Sequence, residues 1–235
     1  MNRLAIFAEG HTEWLFAERF LRELARKHSL SIHVEEASGG RRSQRAFKTL
    51  KASRPNGLES HYVLIVVSGS DERVASDIRD RYDGLVKAGY SAIIAIRDVY
   101  PSVSRPSIPA LRAGLLGALP HKPAKLVLVL GVMEIETWFI SEHSHFLRIH
   151  SSLTTTYIRT ALGLDPANDD IQLRDHPSAD LHNIYRLAGR AYTKRRRHVR
   201  QTLDALDYTS LYIELPARLP DLKDLVDHVD AFLAS

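Results

Sequence analysis

The strongest constraint on this chain is a pattern repeated through its first 140 residues: a short apolar run rich in β-branched side chains, then an amphipathic segment. Four such runs occupy 4–8, 62–67, 92–96 and 125–131. Each is nearly continuous in apolar character, as a strand covered on both faces must be. Strands alternating with helical patterns imply βα units and a parallel sheet. A further edge strand is expected at 31–35. Leu15, Phe16, Phe20 and Leu24 recur at helical spacing within 12–27, as do Val74, Ile78, Tyr82 and Leu85 within 71–88. A third helix is expected over 107–119, and Thr12 is the expected N-cap of the first. The segment 99–109 holds three prolines and three serines directly after a strand, and reads as a loop at the edge of the sheet.

Beyond Ser141 the character changes to Ser, Thr and His clusters, a turn-like Gly163-Leu164-Asp165-Pro166, and helical patterns over 180–206 and 222–233. The expected architecture is an α/β domain over 1–142, with a mainly parallel sheet of four to five strands flanked by helices, and a small helical C-terminal region over 143–235. With 235 residues, 44% of them hydrophobic and 26% charged, the chain can bury one sizeable core. Without cysteine it has no disulfide framework, no thiolate zinc site and no Cys nucleophile, and a reducing cytoplasm is the default compartment. The most apolar stretch, 126–133, is far shorter than the roughly 20 residues of a membrane span. Residues 1–9 lack the long apolar region of a signal peptide. A cytoplasmic protein with no membrane partner is expected.

Ligands of an open parallel sheet bind beyond the carboxyl ends of the strands, and three of the four expected ends carry acids. The first runs into Glu9-Gly10-His11-Thr12-Glu13, the third ends at Arg97-Asp98, and the fourth is followed by Glu134-Ile135-Glu136-Thr137-Trp138. Carboxylates converging from such ends repel one another, and a hard divalent cation, Mg²⁺ or Mn²⁺, relieves the repulsion. Glu9, Asp98, Glu134 and Glu136 are the candidate metal ligands; Glu9, Glu13, Asp98 and Glu134 are the candidate catalytic carboxylates. An acid at a helix start is also favoured by the macrodipole and by capping, and Glu13, Glu136 and Asp71 fit that structural role as well.

Glu9-Gly10-x-Thr12-Glu13 after a first strand, the acidic strand end at Asp98 and Glu134-Ile135-Glu136-x-Trp138-Phe139 together resemble Toprim-type proteins of bacteria. The nearest are the RloB-like proteins and a related family catalogued as a domain of unknown function. The resemblance spans most of the chain, with Asp175-His176-Pro177 and Tyr192-x-Lys194 similar to the family's helical tail. It implies a Toprim/Rossmann-like parallel sheet in which a Glu after the first strand and a later Asp-x-Asp bind Mg²⁺ for phosphodiester chemistry. It makes Glu9 a metal ligand or general acid/base and Asp98 a metal ligand, with Glu134 or Glu136 completing the shell. Where Asp-x-Asp is expected, this chain reads Asp98-Val99-Tyr100, so either Glu134 and Glu136 supply the missing charge or metal binding is weakened. The resemblance also implies bacterial anti-phage defence or toxin-type activity alongside an ATPase partner.

Two basic runs point to phosphate. Residues 194–200 carry five fixed positive charges, including Lys194, Arg195, Arg196 and Arg197. Residues 41–54 carry six, with no acid among them, including Arg41, Arg42, Arg45 and Lys48. Both are candidate nucleic-acid-binding segments, DNA or RNA, through electrostatic contacts that do not read sequence. On a helix, the spacing of three from Arg42 to Lys51 would wrap the charges around the axis. Net charge alone, 32 basic minus 28 acidic residues giving +4, does not announce nucleic acid.

Other candidates carry less. His143-x-His145 and His176 with His182 offer a zinc alternative, and His11 stands where it could touch a phosphate. Val67-Ser68-Gly69-Ser70-Asp71 offers a modest anion site at a helix start, without the P-loop signature; no nucleophile elbow or dinucleotide fingerprint is present. Tyr100 is read as a packing residue and Trp14 and Trp138 as core anchors. The expectation is an Mg²⁺-dependent phosphodiester-cleaving enzyme acting on nucleic acid. The alternatives are a catalytically degenerate regulatory or interaction subunit of an ATPase complex and a phosphotransferase or phosphatase acting on a small nucleotide.

Overall fold

A computed structural model describes residues 1–25, 29–40, 43–53, 59–100 and 103–235. The chain is α/β, and its elements run β1 (Asn2–Ala8), α1 (His11–Leu24), β2 (Leu30–Gly40), β3 (Ser43–Ala52), β4 (His61–Val67), α2 (Asp71–Lys87), β5 (Ala92–Asp98), α3 (Ile108–Ala118) and β6 (Lys125–Gly131). Six short helices and a long one then follow: α4 (Glu136–Ser141), α5 (His145–Ile149), α6 (Thr155–Leu162), α7 (Pro177–Arg186), α8 (Arg196–Ala205), α9 (Tyr208–Ile213) and α10 (Pro220–Leu233). Backbone contacts divide the chain into two units, one of residues 1–97, 106–129 and 224–235, the other of residues 98–105 and 130–223. No helix among the described residues is long and apolar enough to cross a membrane.

The first unit is organised by the apolar runs. The sheet order is β3-β2-β4-β1-β5-β6. β1 lies between β4 and β5, and β2 beside β4, all in parallel. Leu4 to Ala8 and Ile93 to Ile96 are fully buried, which is why these strands lack the alternation of a half-exposed sheet. Each large aliphatic or aromatic side chain withdrawn from water here contributes roughly 1.5–3 kcal/mol. α1 buries Trp14, Phe16 and Phe20, and α2 buries Val74, Ile78 and Tyr82, as their spacing predicts.

The sheet has six strands rather than four to five, and the difference lies in β2 and β3. The run expected over 31–35 extends across Leu30–Gly40 and is internal, because β3 pairs with it antiparallel and takes the edge. The basic segment that carries Arg45, Lys48 and Lys51 is therefore a strand, not a helix. Charged side chains suit an edge, where they deter pairing with another sheet. Val34 faces Lys51 and Glu35 faces Thr49, so Leu50 is an extra residue that bulges and reverses the faces around it. Lys51 accordingly pairs with Glu18 of α1, while Arg45 pairs with Asp77 of α2.

The start of α1 also departs from expectation. Its N-cap is Gly10, not Thr12, and Glu13 three residues on accepts the Gly10 N–H at 2.8 Å. That carboxylate satisfies one of the donors a helix start leaves open.

The second unit is mostly helical. Trp138, Phe139, Phe146, Tyr185 and Tyr192 are buried, with Tyr185 edge-on to both Phe146 and Tyr192 at centroid distances of 6.3 and 6.1 Å. The Tyr185 hydroxyl is satisfied by Thr202 of α8 at 2.9 Å. Buried Glu142 accepts from the N–H groups of Ser144 and Asp207 at 3.1 and 3.0 Å, tying α4 and α5 to the start of α9.

Candidate metal centre

The second unit brings three acids together, and the chain's local geometry explains how. Asp98 closes β5 and is buried. Immediately after β6 the backbone turns around its carboxylate: the Ile135 N–H donates to Asp98 Oδ1 at 2.8 Å, and Val99 and Tyr100 donate to Met133 O at 3.2 and 2.8 Å. Met133 is left-handed, with φ of 61°, an unfavourable conformation for a side chain of that size. A Cβ on Gly131 would stand 2.6 Å from Asp98 Oδ1 and 2.7 Å from Ile135 N, so only glycine permits this turn to close on the acid.

Glu134 leaves that turn toward the start of α7. Its Oε2 accepts the Ser178 N–H at 2.7 Å and its Oε1 the Ser178 hydroxyl at 2.9 Å. Pro177 sits at the first helical position, so the helix presents free N–H groups and the positive end of its dipole to this carboxylate. Glu136, the first residue of α4, is completely buried, and its Oε1 accepts from the Tyr192 hydroxyl at 2.6 Å.

Asp98, Glu134 and Glu136 each offer one oxygen within 4.8 Å of the others. The Lys194 ammonium stands among them, 3.0 Å from Glu134 Oε1, 3.4 Å from Asp98 Oδ2 and 3.5 Å from Glu136 Oε2. Desolvation of that ammonium works against its charge. Coulombic attraction to Glu136, then Asp98 and Glu134, outweighs it and raises the Lys194 pKa well above its ordinary value of 10.5. The side chain as a whole is 40% exposed, so the cation is only partly withdrawn from water.

The donor set suits a hard divalent ion. All three groups supply carboxylate oxygens, and a cation, the ammonium of Lys194, already stands between them. The formal charges of three carboxylates and one ammonium sum to −2, the charge a divalent cation neutralises.

The other candidates are distributed as follows. Glu9 and Glu13 belong to the first unit and are not members of the cluster. The Glu9 backbone is held by its N–H to Ile96 O at 3.1 Å and by its carbonyl, which accepts from Gly69 at 2.7 Å; Glu13 is the helix-capping acid. His11 opens α1 and is exposed. At the start of α2 the anion position is taken by the chain's own Asp71, which accepts the Glu72 N–H at 2.8 Å and pairs with Arg97 at 2.9 Å. Arg45 is engaged by Asp77, and Lys48 is exposed on β3. Arg41 and Arg42 lie outside the described residues. Arg195 is the N-cap of α8, with Arg196 and Arg197 exposed in its first turn. No histidine joins the acids among the described residues: His145 is buried against Phe146, His176 stacks edge-on with Tyr100 at 4.9 Å, and His182 binds Tyr192 O.

Sequence reasoning assigns no role to Gly131 or Ser178, and places Lys194 in a phosphate-binding run rather than among acids. The available signals were slight: a proline opening a helix before Ser178, and a tyrosine two residues before Lys194. No protein-family model, no curated protein and no solved structure matches the chain.

Proposed function

We propose that this protein is a divalent-metal-dependent phosphodiester-cleaving enzyme of Toprim-like, Rossmann-like build, with nucleic acid as substrate. One observation carries the reading: three buried carboxylates, Asp98 as the last residue of β5 and Glu134 and Glu136 in the segment after β6, each contribute an oxygen within 4.8 Å of the others. Asp98, Glu134 and Glu136 would hold Mg²⁺ or Mn²⁺, which when bound polarises a phosphodiester and stabilises the charge on its leaving oxygen. The chain's own groups prepare the site for that role. Ile135 N–H orients Asp98, Ser178 orients Glu134 through two donors, and Tyr192 orients Glu136. Lys194, with three donors on one ammonium, can turn from Glu134 to a phosphate oxygen while keeping its charge. Action beside an ATPase partner in bacterial defence belongs to the same proposal and rests on the sequence resemblance alone.

The test is incubation of the full chain with supercoiled plasmid, single-stranded DNA and tRNA, in Mn²⁺, Mg²⁺ or EDTA. Metal-dependent cutting is expected, with D98N and E136Q reducing it at least about a hundredfold, the loss typical of removing a group central to the chemistry. Cutting that persists in EDTA, or in both variants, would overturn the assignment.

A second reading has its own observation: Lys194 already occupies the space between the acids. In that reading the cluster is a closed structural ion network, and the protein is a regulatory subunit. Calorimetry with Mn²⁺ separates the two. Absence of binding heat together with intact substrates favours the subunit.

A further inference from the structure

The basic run that begins at Lys194 divides at Arg195, and its second part builds a surface of its own within the second unit. At about 100° per residue, Arg196, Arg197, Arg200, Gln201 and Asp204 of α8 fall on one arc of about 140°. Val199, Thr202 and Leu203 occupy the opposite side and are buried, which fixes the arginine face outward. Arg190 joins it from the end of α7. Gly189 turns the chain there with φ of 66°, and the Arg190 N–H donates to Tyr185 O at 3.0 Å, anchoring the turn. Together these six residues line an open groove of about 660 Å³.

The charge balance of this groove is lopsided, with four arginines against one aspartate. Three other arginines of the same unit are paired with acids: Arg148 with Glu142, Arg159 with Asp165, Arg174 with Asp180. Arg190, Arg197 and Arg200 have no carboxylate partner among the described residues. The first turn of α8 also carries no acid, so its arginines stand at the positive end of the helix dipole, and Arg196 and Arg200 are like charges one turn apart. This is an arrangement that destabilises the isolated helix and that a bound polyanion relieves. The planar guanidinium fork matches phosphate oxygens two at a time. None of the lining residues is aromatic, so the groove offers nothing on which an unpaired base can stack, the usual device for holding single strands.

We infer that this groove docks the phosphodiester backbone of a nucleic-acid duplex, without reading its sequence. The inference stands on the groove and not on the acidic cluster, and its test is run without metal so that either can fail alone. Fluorescence anisotropy in EDTA, with the full chain and labelled 20-base-pair DNA and RNA duplexes and a single-stranded RNA, measures binding at two salt concentrations. Duplex binding is expected to weaken at least about tenfold in R197Q/R200Q, with the slope of log affinity against log salt falling by about 2, one for each lost phosphate contact. R73Q/R79Q, at two exposed positions of α2, removes the same net charge and is expected to change affinity less than about threefold. Circular dichroism confirms that each variant is folded. The DNA and RNA arms identify which duplex is preferred. No duplex binding by the unaltered chain, equal weakening by both double variants, or preference for the single strand would overturn the inference.

Discussion

Lys194 and Arg197 are three residues apart, and the molecule uses their charges in opposite ways. The Lys194 ammonium stands among three acids that meet it at 3.0 to 3.5 Å, with the side chain 40% exposed. Arg197 stays on the surface, in a groove lined by four arginines and one aspartate. The acids cannot be buried together without a cation, so there charge is part of stability. Arg190, Arg197 and Arg200 remain exposed, so there charge is available to an external partner. A run that looks uniform in one dimension therefore holds one internal counter-ion and one docking surface.

K194M carries the largest expected effect. Removing one partner of a buried ion pair typically costs about 3–5 kcal/mol; with the Lys194 side chain 40% exposed, screening reduces the expected loss to about 2–3 kcal/mol. The melting temperature should fall by about 4–12 °C, read by calorimetry in EDTA. Millimolar Mg²⁺ or Mn²⁺ should restore much of it if the acids can hold an ion. The pH dependence has a definite sign. Because the folded pKa of Lys194 lies above its ordinary 10.5, the contribution is complete below that value and is lost only as pH rises past it. The gap between wild type and K194M should therefore persist from about pH 6 to 9 and begin to close above about 10.5. An unchanged melting point would break the contrast between pocket and groove.

Y192F comes next. It deletes the buried hydroxyl that holds Glu136 Oε1 and should cost about 2 kcal/mol, measured by urea unfolding. A cost near zero would mean that Glu136 is not oriented by this contact. S178A removes the hydroxyl donated to Glu134 but keeps the stronger backbone N–H, so about 1 kcal/mol is expected in the same assay. The smallest effect belongs to the groove: R197Q/R200Q should leave unfolding free energy within about 0.5 kcal/mol of wild type, as for surface changes without buried partners. A larger loss would make those arginines structural, like Lys194.

Parts of this structure are legible in one dimension because they depend on neighbours in the chain. Burial of Leu4 to Ala8 and Ile93 to Ile96 on both faces requires uninterrupted apolar residues, and that is what the sequence displays. Asp98, Glu134 and Glu136 could be named because each follows closely on such a run. β3 could not, since an edge strand with Arg45, Lys48 and Lys51 has little burial to imprint a pattern and takes its conformation from pairing with β2. Gly10 rather than Thr12 caps α1, with the Glu13 carboxylate reaching back three residues, a choice between positions two apart that local preference alone leaves open.

By itself, then, the sequence determined the parallel core strands, the helices that cover them and the acids at the strand ends, because hydrophobic burial at periods of the backbone writes itself into residue order. Only the tertiary structure decided which acids share a pocket and which cation joins them. Lys194 lies 96 residues from Asp98, and whether a charged side chain turns inward to a cluster or outward to water depends on the total electrostatic and solvation energy of groups distant in the chain.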